Sequence, residues 1–404
     1  MEKWPEKWEE LHQEGHNAQL MGDFSQAKFC YERALAQKPD FAFAQLALAQ
    51  LRMMETCFHE GRDLYEARFA AREGKDGFDW RQLPTPRWRG ESLGGKHLYL
   101  WVEQGFGDVI MYATFLPHLL AQEPKRITLG MFPKMMSLFA RSFPNIAVES
   151  LEDVVTNSLS PLILDTFPKL AALVEQTGLQ IDIEPMRREY ELALARGVFD
   201  YAAPMGDLLV YGLPSFVPAK HQGHCLSADP QRVDATRDAL QHLGQGRRIG
   251  ISWYTSNSQS GSVRNIPLEQ WLPVLATPGC HFISLQHHVE PQVIERFCAE
   301  NGCTIITDPA FDSIADTEGL AALTACMDEV ITIDNSNAHL AGALGVPTTL
   351  LLPKGCDFRW PLLEGDHDTL WYRSVKVERQ EQSMEWRPVM ERVAAAINYR
   401  SGME

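Results

Sequence analysis

At 404 residues the chain is longer than one ordinary hydrophobic core supports, so two or three domains are expected. Its composition, 45% hydrophobic and 22% charged, is that of a globular protein, and a net charge of −16 without any basic stripe argues against a nucleic-acid partner. No apolar run reaches spanning length, and the acidic start lacks the cationic and apolar regions of a signal peptide, so a cytoplasmic location is expected. Cys30, Cys57, Cys225, Cys280, Cys298, Cys303, Cys326 and Cys356 contain no C-x-x-C pair, which fits reduced thiols better than zinc ligands or disulfides.

Residues 11–40 read as two helices around a turn at Gly22-Asp23. Gly15, Gly22, Phe24, Ala27, Tyr31, Ala34 and Pro39 fall at the spacings of a tetratricopeptide (TPR) repeat: small residues where antiparallel helices touch, an aromatic filling the hole, and proline at the exit. A second, weaker unit covers 41–72. Fewer than three repeats do not easily bury a continuous core, so this TPR-like helical region, 1–72, is expected to dock on the next domain, either as a protein-binding module or as a structural cap. Residues 73–95, with Trp80, Pro84, Pro86 and Trp88, read as a linker laid on a surface by its aromatics.

A first α/β domain is expected over 96–225. A strand at 97–102 runs into Glu103-Gln104-Gly105-Phe106-Gly107-Asp108 and a helix over 109–121. Gln104, Gly105 and Gly107 form a sharp turn above the strand's carboxyl end, where open α/β sheets bind ligands. Asp108 is either the helix N-cap or a base facing a cleft. A third glycine is missing, so the turn is not a dinucleotide site. Strands at 126–130, 147–149 and 161–164 alternate with helices at 135–142 and 169–176. His221, His224 and Cys225 have no second ligand cluster and read as a surface loop.

The second α/β domain, 226–370, opens with a helix at 230–243 and a strand at 248–253. A polar loop follows over 254–262, then Arg264, a fixed positive charge suited to phosphate. Helices at 267–275, 291–302 and 318–325, the last capped by Asp316-Thr317, alternate with strands at 281–285 and 304–307; Gln286 stands at a strand end, and His287 and His288 read as rim residues. The chain is organised around 329–348. There a β-branched strand at 330–333 meets Asp334, Asn335 and Ser336, which offer side-chain caps and unpaired N–H groups at the positive end of a helix dipole. His339 lies about one turn further in. Gly345-Val346-Pro347 ends the helix before a strand at 348–352. Repeated βα units in two blocks predict two parallel-sheet domains facing a cleft.

Five motifs, Glu103 to Asp108, Gly250-Ile251-Ser252-Trp253, Arg264-Asn265-Ile266-Pro267-Leu268, Ser284-Leu285-Gln286 and Asp334 to Gly345, occur in an order that resembles the TPR-linked glycosyltransferases related to the heptosyltransferase family (glycosyltransferase family 9), over about 65–379. The resemblance implies a GT-B fold of two Rossmann-like domains, the N-terminal one holding the acceptor and the C-terminal one a nucleotide-sugar donor. It also implies inverting transfer without a metal. On the same grounds the donor phosphates belong with Asp334, Asn335, Ser336, Ser252 and Arg264, with His339 close by. Gln286 falls near the nucleoside and Asp108 at the position of the general base. A tail over 371–404 is expected to cross back onto the first α/β domain. The family's heptosyltransferases read Asp-Thr-Gly where this chain has Asp334-Asn335-Ser336, which leaves the donor sugar open.

The expected activity is sugar transfer from a nucleotide-sugar substrate to a protein, flagellin-like, or to a cell-surface glycan, with no cofactor, no membrane span and an acceptor recruited by the helical region. A catalytically inactive GT-B/TPR scaffold and a nucleotide-sugar epimerase are the alternatives.

Overall fold

The computed structural model describes residues 7–71, 85–150, 199–212, 224–256, 260–287, 290–307, 315–355, 358–363 and 369–401. The expected strand at 161–164, the helix at 169–176, His221, His288, Cys356 and the linker through Pro84 lie outside them. The chain divides into two units, Arg72–Phe216 and a discontinuous unit of Met1–Ala71 with Val217–Glu404.

In the Arg72–Phe216 unit, β1 (His97–Trp101), β2 (Arg126–Met131), β3 (Ala147–Ser150) and β4 (Tyr201–Pro204) form a parallel sheet in the order β3-β2-β1-β4. All five residues of β1 are buried, as expected of a central parallel strand covered on both faces. The helix expected over 109–121 is instead two, Phe106–Ala113 and Leu116–Leu120. Pro117 brings no N–H for the carbonyl one turn back, and the Thr114 hydroxyl bonds back to Met111 O at 2.7 Å. β4 was not anticipated, because Tyr-Ala-Ala-Pro carries little strand propensity.

The other unit contains β5 (Arg247–Ser252), β6 (Cys280–Ser284), β7 (Glu329–Ile333), β8 (Thr348–Leu352) and β9 (Val375–Arg379), all parallel, in the order β6-β5-β7-β8-β9. The strand expected at 304–307 is reduced to one bridge between Ile306 and Ile283, and β9, half polar at a sheet edge, was missed. Ile249, Ile251, Trp271, Phe282, Ile331 and Leu351 build a core completed by Val389, Met390, Val393 and Ile397 of the tail helix Arg387–Ser401. The apolar stripe of the tail helix is thus buried in the core of the second α/β domain.

The helices Trp8–Leu20, Phe24–Gln37, Ala42–Met54, Phe58–Tyr65 and Ala67–Ala70 form the helical region. Asp23 caps the second of them by accepting from Gln26 N at 3.0 Å. Gly15 lies against the Tyr31 ring, where a Cβ would fall 2.6 Å from Cε1, so only glycine lets these two helices close. The region was expected to dock on the domain that follows it in sequence; it packs within the unit of the second α/β domain. Leu362 N–H donates to Met54 O at 2.9 Å, the Ser383 hydroxyl to Met21 O at 2.6 Å, and Phe358 meets Tyr65 edge-on at 6.2 Å.

Candidate functional site

In each sheet the strand order reverses at one point, and ligands of open α/β sheets bind outside the strand carboxyl ends at such a point. In the larger unit the reversal lies between β5 and β7. Ser252 ends β5 and is fully buried. Its hydroxyl accepts from Asn335 Nδ2 at 2.7 Å and Asn337 Nδ2 at 3.1 Å, and donates to Gln286 Oε1 at 3.1 Å. That same oxygen accepts the N–H groups of Trp253 and Tyr254, both at 2.9 Å, while Gln286 Nε2 donates to Tyr254 O and His287 O. Both side-chain polar atoms of Gln286 are thus engaged in fixing the turn after β5.

β7 leads into the helix Ser336–Leu344, which Gly345 closes in the left-handed region at φ +78°. Of the three candidate caps, Asn335 is the one used: its Oδ1 accepts from Asn337 N at 3.0 Å and from the Thr332 hydroxyl at 3.1 Å. Asn335 and Ser336 are half-buried, and their own N–H groups have no acceptor among the described residues. Asn337, 1% exposed, also donates to Leu285 O at 2.9 Å and keeps a buried Oδ1 without a hydrogen-bond partner.

Beside this helix start runs a chain of buried contacts. Arg264 Nε lies 3.1 Å from Asp334 Oδ2, with side-chain exposures of 13% and 3%. Trp360 Nε1 donates to Asp334 Oδ1 at 2.7 Å. The Trp360 ring stacks on His339, centroids 4.6 Å apart and 17° between planes, and His339 Nδ1 is 3.1 Å from the Tyr372 hydroxyl. Tyr372 reaches His339 only because Gly342, one turn on, has no side chain; a Cβ there would lie 2.5 Å from Tyr372 Cγ. Arg264 itself closes the short turn Gly261–Arg264, which Asn265 ties to Thr255 through both amide atoms at 2.7 and 3.2 Å. Ser252, Arg264, Gln286, Asp334, Asn335, Ser336 and His339 therefore gather at one end of one sheet. Asn337, Trp360 and Tyr372 belong with them and were not singled out from sequence. Only the Asn337 side of the cap had a local signal, its position two residues after Asn335.

In the Arg72–Phe216 unit the reversal lies between β1 and β4. Beyond β1, Glu103 Oε2 accepts from Gly206 N at 3.3 Å, and a Cβ on Gly206 would overlap Glu103 Oε1. Gln104 bridges Glu103 Oε1 at 3.3 Å and the Tyr112 hydroxyl at 3.1 Å. The N-cap of the helix Phe106–Ala113 is the exposed Gly105, with Gly107 and Asp108 inside its first turn. Asp108 is therefore not the cap; it is the third helical residue, 7% exposed, at the dipole's positive end. Next to this turn the Arg87 guanidinium grips Asp207 with two hydrogen bonds of 2.6 Å, from Nε and Nη2, with side-chain exposures of 6% and 0%. Glu103, Arg87 and Asp207 were missed because their pairing is long-range. Among the described residues no group of three or more His, Cys, Asp and Glu side chains is placed to hold a metal ion, and no helix is long and apolar enough to cross a membrane.

No family model matches the chain. Protein FlbA of Caulobacter vibrioides is 31% identical over 371 residues, covering 90% of this chain and 56% of that protein, so the chain spans little more than half of this relative's length. Among solved structures, a glycosyl transferase family 9 protein from Veillonella parvula aligns with a TM-score of 0.48 at 14% identity, over 72% of this chain and 88% of the other. An ADP-heptose LPS heptosyltransferase II of E. coli aligns at 0.45 and 12% identity, over 75% and 99%. An O-GlcNAc transferase from Thermobaculum terrenum aligns at 0.34 and 13% identity, over 98% and 84%.

Proposed function

We propose that the chain is a GT-B glycosyltransferase that moves a sugar, with inversion and without a metal, from a nucleotide-sugar donor to a protein or glycan acceptor in the cytoplasm. The observation that carries this reading is the pairing, at the β5/β7 reversal, of a helix start with N–H groups open at Asn335 and Ser336 and a guanidinium fixed by Asp334. Such an arrangement suits a diphosphate, because aligned N–H dipoles and a held cation stabilise charge as it develops on a leaving group. The order of the motifs supports it further.

In this mechanism the acceptor hydroxyl oxygen attacks the anomeric carbon while the bond from that carbon to the diphosphate oxygen breaks. Asp108 takes the hydroxyl proton, and the nucleoside diphosphate leaves with the electron pair. Gln286 acts by holding the turn after β5, and the helical region recruits the acceptor.

Thermal-shift measurements with UDP, GDP, ADP and CMP test the donor half, and stabilisation by none of them overturns the proposal. Arg264→Ala should weaken diphosphates far more than nucleosides. Asp108→Asn should leave nucleotide binding nearly intact and lower transfer by about 10²–10⁴-fold, the usual worth of a general base; unchanged turnover removes Asp108 from that role.

A further inference from the structure

Trp360 lies in a stretch after β8 that belongs to no strand or helix, so its placement depends on what packs around it rather than on a hydrogen-bond ladder of its own. Towards the donor side it makes two contacts. Its Nε1 donates to Asp334 Oδ1, the carboxylate whose other oxygen faces Arg264, and its ring lies flat on His339. With Oδ1 hydrogen-bonded to Trp360 and Oδ2 in ion-pair contact with Arg264, the Asp334 carboxylate cannot turn about its own axis without losing a contact, and the charge that holds Arg264 is kept in place.

Around the same stretch the helical region supplies the support. Gly355 sits against the carbonyls of Gln19 and Leu20, where any Cβ would overlap backbone. Lys354 packs beside Gly22, Phe358 meets Tyr65, and Leu362 N–H donates to Met54 O at 2.9 Å. Contacts from the first helix, the turn after it, and the third and fourth helices thus bracket Trp360, itself 1% exposed, before and after it in sequence.

We propose that Trp360 is a positioning residue for the Arg264–Asp334 pair, held in register by the helical region, so that phosphate occupancy at the donor end and stability of the N-terminal helices are thermodynamically linked. The inference rests on the donor-site reading and goes beyond it by giving the helices a task at the phosphate site. Linkage is reciprocal: if the helices favour the geometry that binds diphosphate, diphosphate must favour the helices by the same factor.

The test uses the full chain. Calorimetric titration with UDP, GDP, ADP and CDP and with the matching nucleosides is run on the wild-type protein, on Trp360→Phe, which keeps a ring on His339 and removes the N–H, and on Gly355→Val. Trp360→Phe is expected to weaken the preferred diphosphate about tenfold and its nucleoside hardly at all. Saturating diphosphate should slow amide exchange in Ala42–Met54 and Phe58–Tyr65 of the wild-type chain, and this protection should shrink in Trp360→Phe. Gly355→Val should lose both affinity and protection; if it fails to fold, the wild-type exchange measurement decides alone. Binding by the wild-type chain with no change in helix exchange, or equal diphosphate affinity in Trp360→Phe, overturns the coupling and leaves the donor site standing. Binding of none of the diphosphates overturns both.

Discussion

Neutralising either member of the Arg264–Asp334 pair should cost stability out of proportion to its size, and the double variant should recover much of the loss. The pair is nearly dry, at 13% and 3% side-chain exposure, with 3.1 Å between Nε and Oδ2. At an effective dielectric near 20 the attraction at that separation is about 5 kcal/mol, from which desolvation of both ions must be subtracted. Removing one partner strands the other charge, so Asp334→Asn and Arg264→Met are each expected to destabilise by about 3 kcal/mol. Asparagine keeps the shape that receives Trp360 Nε1, which confines the Asp334 change mainly to charge. The double variant, with no stranded ion, should fall short of the sum by about 2–3 kcal/mol. Native-state hydrogen exchange at the amides of β7, the strand that delivers Asp334, reads these differences without assuming that both units unfold together. Additivity within about 0.5 kcal/mol would refute a direct electrostatic coupling.

Three further outcomes follow from other parts of the structure. Gly342→Ala places a methyl 2.5–2.6 Å from the Tyr372 ring and 2.9 Å from Val375 Cγ2, so it should destabilise by about 1–3 kcal/mol despite the better helix propensity of alanine; Tyr372→Phe, which deletes only the hydroxyl facing His339, should cost about 1 kcal/mol. A rise in melting temperature for Gly342→Ala would contradict the close approach. Burial, helped by the charge of His16, holds the His12 imidazole below its ordinary range, and burial does the same to His16. Below the ordinary imidazole pKa, about 6.5, the unfolded region then binds more protons than the folded one, so the helix Trp8–Leu20 should lose stability as pH falls through about 6 to 5. Exchange protection there that is equal or greater at pH 5, after correction for intrinsic rates, would reverse that sign.

What the sequence made legible was local. The β-branched run of β7, the cap residue Asn335 and the left-handed Gly345 each act within a few neighbours, and together they fix a strand, a turn and a helix that the structure reproduces with small shifts at the ends. Asp316 capping Thr317–Ala325 was readable for the same reason. Whether Asp108 was the cap stayed open in the sequence because Gly105 and Gly107 both permit a helix to start, and only the observed backbone shows that it starts at the first. Trp360 and Tyr372 were invisible as members of the site, since they reach Asp334 and His339 from 26 and 33 residues downstream with no periodicity to announce it. The domain on which the helical region settles was likewise decided by surface fit, at Gly355 and Leu362, and not by adjacency in the chain.

That last fit has a bearing on biosynthesis. Gly355 is made about 335 residues after Leu20, a wait of roughly 15–70 s at about 5–20 residues per second. Throughout that interval the nascent helices can pair with one another but lack the surface that later receives them, and the inserted Arg72–Phe216 unit has every residue of its sheet at hand long before. The order of emergence thus lets the helices, though made before the Arg72–Phe216 unit, reach their final packing after that unit has all its strands, with apolar helix faces left uncovered in the interval.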